Sequence, residues 1–119
     1  MDKIRRSQGH PIVLLVTDDM VVQATVPRWL HDIGVLMLTV TEIAKASALL
    51  TSLDVKAALI DLDMTRVDTA PFLSILDRAA VPAITLSSGP DLEQSTLAHQ
   101  ALEKPLDMSC VIEAVSRLI

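Results

Sequence analysis

The sequence predicts an α/β fold in which a five-stranded parallel sheet lies between two layers of helices. Short, near-continuous apolar runs recur along the 119 residues, and amphipathic segments of helical period separate them. Runs of this kind are typical of strands buried on both faces. Strands that alternate with helices form parallel sheets with right-handed crossovers, and a chain of this length can bury one core.

The first two strands are predicted over residues 11–17 and 35–40. The helix between them should end at Gly34, and Pro27 indicates either a kink or a late helix start. The inward face of this helix carries apolar residues at helical spacing: Val22, Val26, Leu30 and Ile33. Thr41 is expected to cap the second helix. Its inward face has the same pattern: Ile43, Ala46, Leu50 and Leu53.

The third and fourth strands are predicted over residues 57–61 and 83–87. Thr69 should cap the helix between them, and Pro71 is tolerated in the first turn of that helix. Its apolar residues are expected to face the sheet: Phe72, Ile75, Leu76 and Ala79.

The last third of the chain is predicted to hold a helix with a weak apolar face over residues 92–100 and a short strand over 101–103. Asp107 should cap a terminal helix, whose inward residues are Val111, Val115 and Leu118. Because no repeat or linker interrupts the pattern, we predict a polar N-terminal arm of residues 1–10 and one domain over 11–119.

Composition excludes several functional classes. Half of the residues are apolar, and the net charge is −5. A negative chain argues against direct nucleic-acid binding, which needs clustered Lys and Arg. The single cysteine, Cys110, rules out an internal disulfide and is expected to be a small buried side chain. No apolar stretch approaches the roughly 20 residues of a membrane span, so we expect a cytoplasmic domain without membrane contact.

Polar residues end or directly follow four of the predicted strands: Asp18-Asp19, Asp61, Ser87 and Lys104-Pro105. The carboxyl ends of parallel strands share one edge of the sheet, which is where ligands bind in such folds. Three carboxylates, a hydroxyl and an ammonium group at one edge can hold a divalent cation and a phosphoryl group. Each motif alone is weak, and the ordered set is specific.

This ordered set resembles the receiver domain of two-component response regulators, and the similarity spans residues 11–119. The resemblance implies a flavodoxin-like three-layer fold with strand order 2-1-3-4-5. It also implies that Asp61 accepts a phosphoryl group from a phosphohistidine, with Lys104 neutralising charge and Ser87 donating a hydrogen bond. The chain would then be a phosphoacceptor and not an enzyme, beyond self-catalysed phosphoryl transfer and autodephosphorylation.

The resemblance further implies a Mg²⁺ cofactor, because Mg²⁺ prefers oxygen ligands and keeps several waters. Its ligands would be the carboxylates of Asp19 and Asp61 and the main-chain carbonyl of Asp63, with Asp18 acting through a metal-bound water. The implied partners are a sensor histidine kinase or phosphotransfer protein in a phosphorelay, and an output domain or effector protein. A homodimer remains open.

The sequence departs from the family pattern in two places. Ala101 stands where receivers usually carry an aromatic residue three positions before the lysine. The segment between Ser87 and Lys104 is also short by about five residues, roughly one and a half helical turns, which predicts a shortened fourth helix. Both departures affect the surface that usually transmits the signal in this family.

Two other functions stay open from the sequence. A pseudo-receiver would keep the fold and bind a protein without being switched by phosphorylation, as the missing aromatic suggests. Alternatively, residues 61–65 match the Asp-x-Asp-x-Thr signature of haloacid-dehalogenase-type phosphatases, with Asp61 as nucleophile and Asp63 as general acid-base. That signature usually opens its domain, whereas half of this chain precedes it.

Overall fold

The computed structural model describes residues 9–64, 69–89 and 100–119, and these residues form five strands and four helices. The strands are β1 (Ile12–Val16), β2 (Leu36–Val40), β3 (Val55–Asp61), β4 (Ala83–Ser87) and β5 (Gln100–Glu103). The helices are α1 (Met20–His31), α2 (Ile43–Ser52), α3 (Ala70–Arg78) and α4 (Met108–Ser116). Residues 92–100, where a shortened fourth helix was predicted, lie outside this description except for Gln100, and so does most of the predicted N-terminal arm.

All four strand pairings are parallel, and the strand order is β2-β1-β3-β4-β5. This confirms the predicted flavodoxin-like order. The register aligns the carboxyl ends of the strands, since Val16 pairs with Ile60, Asp61 with Leu86, and Ser87 with Glu103. The polar residues that follow the strands are therefore brought to one edge of the sheet.

The core has two layers because successive side chains of each strand point to opposite faces of the sheet. In β1, Leu14 and Val16 pack with buried residues of α2 and α3, whereas Val13 and Leu15 pack with those of α1 and α4. Every residue of β1 is buried, and six of the seven residues of β3 are buried. Asp19 and Asp61 thus lie at the carboxyl ends of the two most buried strands of the sheet.

Helix ends agree only in part with the sequence prediction. The predicted late start of the first helix is wrong, because α1 begins at Met20 and runs through Pro27. The expected Thr41 cap is also wrong, since Glu42 occupies the cap position of α2 without a side-chain hydrogen bond. Thr69 sits at the cap of α3 without the predicted side-chain bond. Asp107 caps α4 as predicted, accepting a hydrogen bond from the Cys110 N–H.

Three residues predicted to be buried are exposed. Ile33 lies beyond the last turn of α1 and is 39% exposed, because the chain turns at Gly34 with a φ of +82°. Ala79 follows the end of α3 and is exposed. Cys110 lies in the first turn of α4, on the side of the helix away from the sheet, and is exposed as a free thiol.

Candidate functional site

Asp61 is the last residue of β3, and its side chain is completely buried. Its position is fixed by the sheet on one side and by the following turn, in which the Leu62 N–H donates to the Leu86 carbonyl at 2.8 Å. A buried carboxylate is costly unless it is paired and hydrogen-bonded. The surroundings of Asp61 meet that requirement fully.

Lys104 lies just beyond β5, where its backbone N–H donates to the Ser87 carbonyl. Its side chain is only 12% exposed, and its ammonium nitrogen Nζ lies 2.8 Å from Oδ2 of Asp61 and 2.9 Å from Oδ2 of Asp19. The same nitrogen is 3.3 Å from Oδ2 of Asp63. One ammonium group therefore joins three carboxylates that come from the ends of two strands.

Asp19 has two separate tasks. Its Oδ1 caps α1 by accepting hydrogen bonds from the Val21 and Val22 N–H groups at 2.9 and 3.3 Å, which satisfies two of the free N–H groups at the helix start. Its Oδ2 pairs with Lys104. Asp18, in contrast, is exposed, so the predicted acidic pair divides into one member at the cluster and one at the surface.

Thr17 is a site residue that the sequence analysis did not identify. It is fully buried, its hydroxyl donates to Oδ2 of Asp61 at 2.6 Å, and it accepts a hydrogen bond from the Asp19 N–H at 3.0 Å. The available signal was a β-branched hydroxyl residue placed between an apolar run and an acidic pair. We call Thr17, Asp19, Asp61, Asp63 and Lys104 the acceptor cluster.

Asp63 closes the cluster from the loop after β3. Its N–H donates to Oδ1 of Asp61 at 2.9 Å, so both carboxylate oxygens of Asp61 have donors. Its own carboxylate accepts a hydrogen bond from the Ser88 hydroxyl and another from the Ser88 N–H at 3.3 Å. Ser88 thus ties the loop after β4 to the cluster.

Ser87, the hydroxyl residue predicted from the sequence, has a different partner. Its hydroxyl donates to the main-chain carbonyl of Gly89 at 3.1 Å, within its own loop. Ala101 lies in β5 beside Thr85 of β4 and is half-buried. The sequence prediction therefore placed the right loop at the edge, while the hydroxyl that contacts the acids there belongs to Ser88.

The electrostatics of the cluster follow from these contacts. The hydrogen bond from Lys104 is the largest of the effects that lower the pKa of Asp19, and the bond from the Ser88 hydroxyl does the same for Asp63. Burial alone would lower the pKa of Lys104, but its hydrogen bonds to Asp61 and Asp19 raise it above the ordinary value. Asp19, Asp63 and Lys104 are thus held in their charged forms at neutral pH.

The carboxylate oxygens of the cluster are the type of ligand that a hard cation prefers. Asp19 and Asp61 present carboxylates to one point, and Mg²⁺ needs only one or two carboxylates because it keeps several waters. Within residues 9–64, 69–89 and 100–119, no group of three acidic, histidine or cysteine side chains has the spacing of a metal site. The carboxylates of Asp19 and Asp61 are the candidate ligands here, and both are paired with Lys104.

A cavity of about 490 Å³ opens beside the cluster. Its walls come from α1 and from the loops after β4 and β5, and they include Val21, Val22, Thr25, Trp29, Ser88 and Leu106, with Asp19 and Lys104 at one end. Trp29 is half-buried and packs against the core. Met20, beside the acidic pair, is 80% exposed.

No protein-family model and no curated protein matches the sequence. Solved structures of receiver domains match the fold closely. The receiver domain of the TMAO respiratory system response regulator TorR has a TM-score of 0.82 at 18% identity, over 91% of this chain and 95% of that one. Chemotaxis protein CheY4 of Vibrio cholerae has a TM-score of 0.82 at 18% identity, over 93% and 100%. A response regulator receiver protein from Burkholderia phymatum has a TM-score of 0.80 at 24% identity, over 91% and 94%. The chain therefore has the fold of response-regulator receiver domains.

No helix in the described part of the chain is long and apolar enough to cross a membrane.

Proposed function

We propose that this chain is a receiver-type signalling domain that accepts a phosphoryl group on Asp61. One observation carries the proposal: a single buried ammonium group, Lys104, lies within 3 Å of carboxylate oxygens of both Asp61 and Asp19 at the carboxyl edge of a parallel sheet. The Asp61 side chain is completely buried and that of Lys104 is only 12% exposed, which distinguishes this contact from an ordinary surface ion pair. The likeness of the fold to receiver domains supports the same conclusion.

In the proposed reaction an oxygen of the Asp61 carboxylate attacks the phosphorus of a phosphohistidine. A P–O bond forms as the P–N bond breaks, and the electron pair returns to the donor imidazole. Phosphoryl transfer needs positioning and charge neutralisation more than covalent help from the protein. The sheet and the Asp63 N–H orient Asp61. The Lys104 ammonium group neutralises the Asp61 carboxylate before transfer and then the incoming phosphoryl oxygens.

A bound Mg²⁺ would neutralise the phosphoryl oxygens during transfer. The carboxylates of Asp19 and Asp61 and the main-chain carbonyl of Asp63 would hold it, with Asp18 acting through a water molecule. Lys104 has only to shift from Asp19 to free that carboxylate for the ion. The exposed position of Asp18 is compatible with an indirect role.

In this proposal the domain is cytoplasmic. Its partners are a sensor histidine kinase or phosphotransfer protein upstream and an output domain or effector protein downstream. The exposed side chains of Met20 and Val21 lie next to the acidic pair at the mouth of the cluster. They offer an apolar rim around the acids, where a donor domain that delivers the phosphoryl group would approach.

A pseudo-receiver is the second candidate, and a specific observation favours it. Ser87 donates its hydroxyl to Gly89, and Ala101 provides no aromatic ring beside it. Ser87 and Ala101 thus lack the arrangement in which a hydroxyl contacts the phosphoryl group and an aromatic ring responds. The acceptor cluster argues the other way, because Lys104 still joins three carboxylates at the carboxyl edge of the sheet, as phosphoryl transfer would require.

The phosphatase alternative gains no comparable support. Asp61 is the last residue of β3 and not of the first strand, and the carboxylate of Asp63 contacts Ser88 and Lys104. Thr65, the last residue of that signature, lies outside the described residues. No contact in the cluster favours a general acid-base role for Asp63.

Intact-protein mass spectrometry after incubation with acetyl phosphate and Mg²⁺ tests the proposal. We expect one added phosphoryl group that is absent in Asp61→Asn and absent when the metal is chelated. Asp54→Asn is the matched control, because it removes a carboxylate whose partner is the surface residue Lys56. An adduct that persists in Asp61→Asn would contradict the assignment, and no adduct in any sample would favour the pseudo-receiver.

A further inference from the structure

The hydroxyl of Thr17 has only one way to direct its proton. Its oxygen accepts a hydrogen bond from the Asp19 N–H at 3.0 Å and lies 2.6 Å from Oδ2 of Asp61. A hydroxyl group has one proton to donate. Because the Asp19 N–H is itself a donor, the proton of Thr17 must point to the Asp61 carboxylate. Full burial of Thr17 excludes exchange of this bond for one to solvent.

The two oxygens of the Asp61 carboxylate are therefore unequal. Oδ2 receives hydrogen bonds from Thr17 and from Lys104, whereas Oδ1 receives one from the Asp63 N–H. A hydrogen bond to a charged acceptor is roughly twice as strong as one between neutral groups. The Thr17 bond consequently stabilises the free carboxylate more than an acyl phosphate, in which most of that negative charge has left the carboxyl group.

We propose that Thr17 shortens the lifetime of the acyl phosphate on Asp61, an inference that rests on the proposed function. In hydrolysis a water oxygen attacks phosphorus, the P–O bond to Asp61 breaks, and its electron pair returns to the carboxylate. The oxygen and protons of that water leave with inorganic phosphate. Charge that develops on the departing carboxylate is met by the Thr17 hydroxyl, so the transition state is stabilised.

The same bond acts in the opposite sense on phosphorylation. It stabilises the carboxylate before attack, and this stabilisation weakens as charge moves onto the phosphoryl group. Thr17 therefore lowers the fraction of the chain that is phosphorylated at steady state. A purely structural role predicts the reverse, because loss of a buried hydrogen bond would disturb Asp61 and reduce phosphorylation.

The test compares the decay of the adduct in the full chain and in three variants after acetyl phosphate is removed by rapid desalting into buffer with Mg²⁺. Thr17→Val keeps the shape and removes the hydroxyl, and Thr17→Ser restores the hydroxyl. Thr85→Val is the matched control, since Thr85 is another buried threonine, on β4. We expect Thr17→Val to lengthen the lifetime about tenfold, which corresponds to about 1.4 kcal/mol, with Thr17→Ser and Thr85→Val close to the parent chain.

Each outcome decides the inference. An unchanged or shorter lifetime in Thr17→Val, with the parent chain phosphorylated, overturns the role of Thr17 and leaves the proposed function intact. Absence of the adduct from the parent chain overturns the proposed function and the inference together. If circular dichroism shows that Thr17→Val does not fold, Thr17→Cys replaces it, because a thiol is a weak donor. In that variant a lifetime equal to the parent's would overturn the inference.

Discussion

Two parts of the same sheet edge are built differently. In the acceptor cluster, at the ends of β1, β3 and β5, each polar group has a partner within the cluster, and Lys104 joins three carboxylates. The readout side, by which we mean Ser87, Gly89 and Ala101, lies at the end of β4 and on β5. There the hydroxyl of Ser87 bonds to its own loop, and position 101 has only a methyl group.

Under the proposed function, this difference would separate receiving a phosphoryl group from responding to it. Receiving requires a buried carboxylate, a cation and fixed donors, and all of these lie in the acceptor cluster. Responding requires an element with two arrangements whose balance the added charge changes. The readout side offers Ser87 as the group that must exchange its partner, but no ring that could follow it.

The largest effect is expected when the acceptor cluster loses its cation. Lys104→Met leaves the buried Asp61 without a counter-charge, and removal of one partner from a buried ion pair costs about 3 kcal/mol. Urea unfolding at neutral pH without Mg²⁺ should show this loss, and added Mg²⁺ should restore part of it. Phosphorylation should be abolished.

Lys56→Met is the matched control for that experiment. Lys56 pairs with Asp54 at 3.1 Å on the surface, and both side chains are well exposed. Loss of an exposed pair changes the free energy of unfolding by about 0.5 kcal/mol. Equal losses for the two lysine variants would remove the distinction between the buried cluster and an ordinary surface pair.

A smaller effect concerns acid stability. Lys104 holds the pKa of Asp19 below its ordinary value of 3.8, so the stabilisation from Asp19 is present above that pH and is lost as the pH falls through the lower folded value. Asp19→Asn should flatten the fall of the unfolding free energy between about pH 5 and pH 2, by about 1 kcal/mol. Asparagine still caps α1, and Asp54→Asn is the control. Curves of the same steepness for parent and Asp19→Asn would refute the pairing with Lys104.

Two neighbouring serines sharpen the comparison further. The Ser88 hydroxyl lowers the pKa of Asp63, whereas the Ser87 hydroxyl donates to Gly89. Ser88→Ala should therefore raise the pKa of Asp63 toward its ordinary value, and Ser87→Ala should leave it in place. A ¹³C titration of the Asp63 carboxyl group measures both. If Ser87→Ala produced the larger change, the assignment of Ser88 to the cluster and Ser87 to the readout side would be reversed.

The smallest effect lies outside both regions, at Cys110. The Asp107 carboxylate raises the pKa of this exposed thiol, even though a helix start usually has the opposite effect. Alkylation by iodoacetamide near pH 8 should be slower than for an ordinary exposed thiol, by about twofold to threefold. Asp107→Asn keeps a good capping residue and should speed the reaction. An unchanged rate in that variant would show that Asp107 does not control the thiol.

The sequence was sufficient for the strand order and for most of the cluster. Apolar runs located the five strands, and the polar residues that follow them pointed to Asp19, Asp61 and Lys104. Helix ends were predicted less well. Thr41 is the better cap residue by preference, but α2 begins one residue later, and Glu42 takes the cap position without a side-chain hydrogen bond. The apolar pattern does not show that Ile33 lies after the last turn of α1. It also does not show which side of α4 is exposed near its start, where Cys110 lies.

Side-chain partners were the least predictable feature. In the sequence, Thr17 is the last residue of the first predicted strand. Its place in the site depends on a hydrogen bond to Asp61, which is 44 residues away. Ser87 and Ser88 are equivalent in the sequence, and only the path of the loop decides that Ser88 reaches Asp63. A local pattern can draw attention to a residue such as Thr17, but it does not identify the distant side chain that the residue contacts.

The most direct test of the account is the location of the phosphoryl group. Borohydride reduces an aspartyl phosphate to homoserine, which peptide mass spectrometry can place in the sequence. After treatment with acetyl phosphate and Mg²⁺, we predict homoserine at position 61 and aspartate at positions 18, 19 and 63. Homoserine at one of those three positions, or its absence from all four in a chain that carries the adduct, would contradict Asp61 as the acceptor.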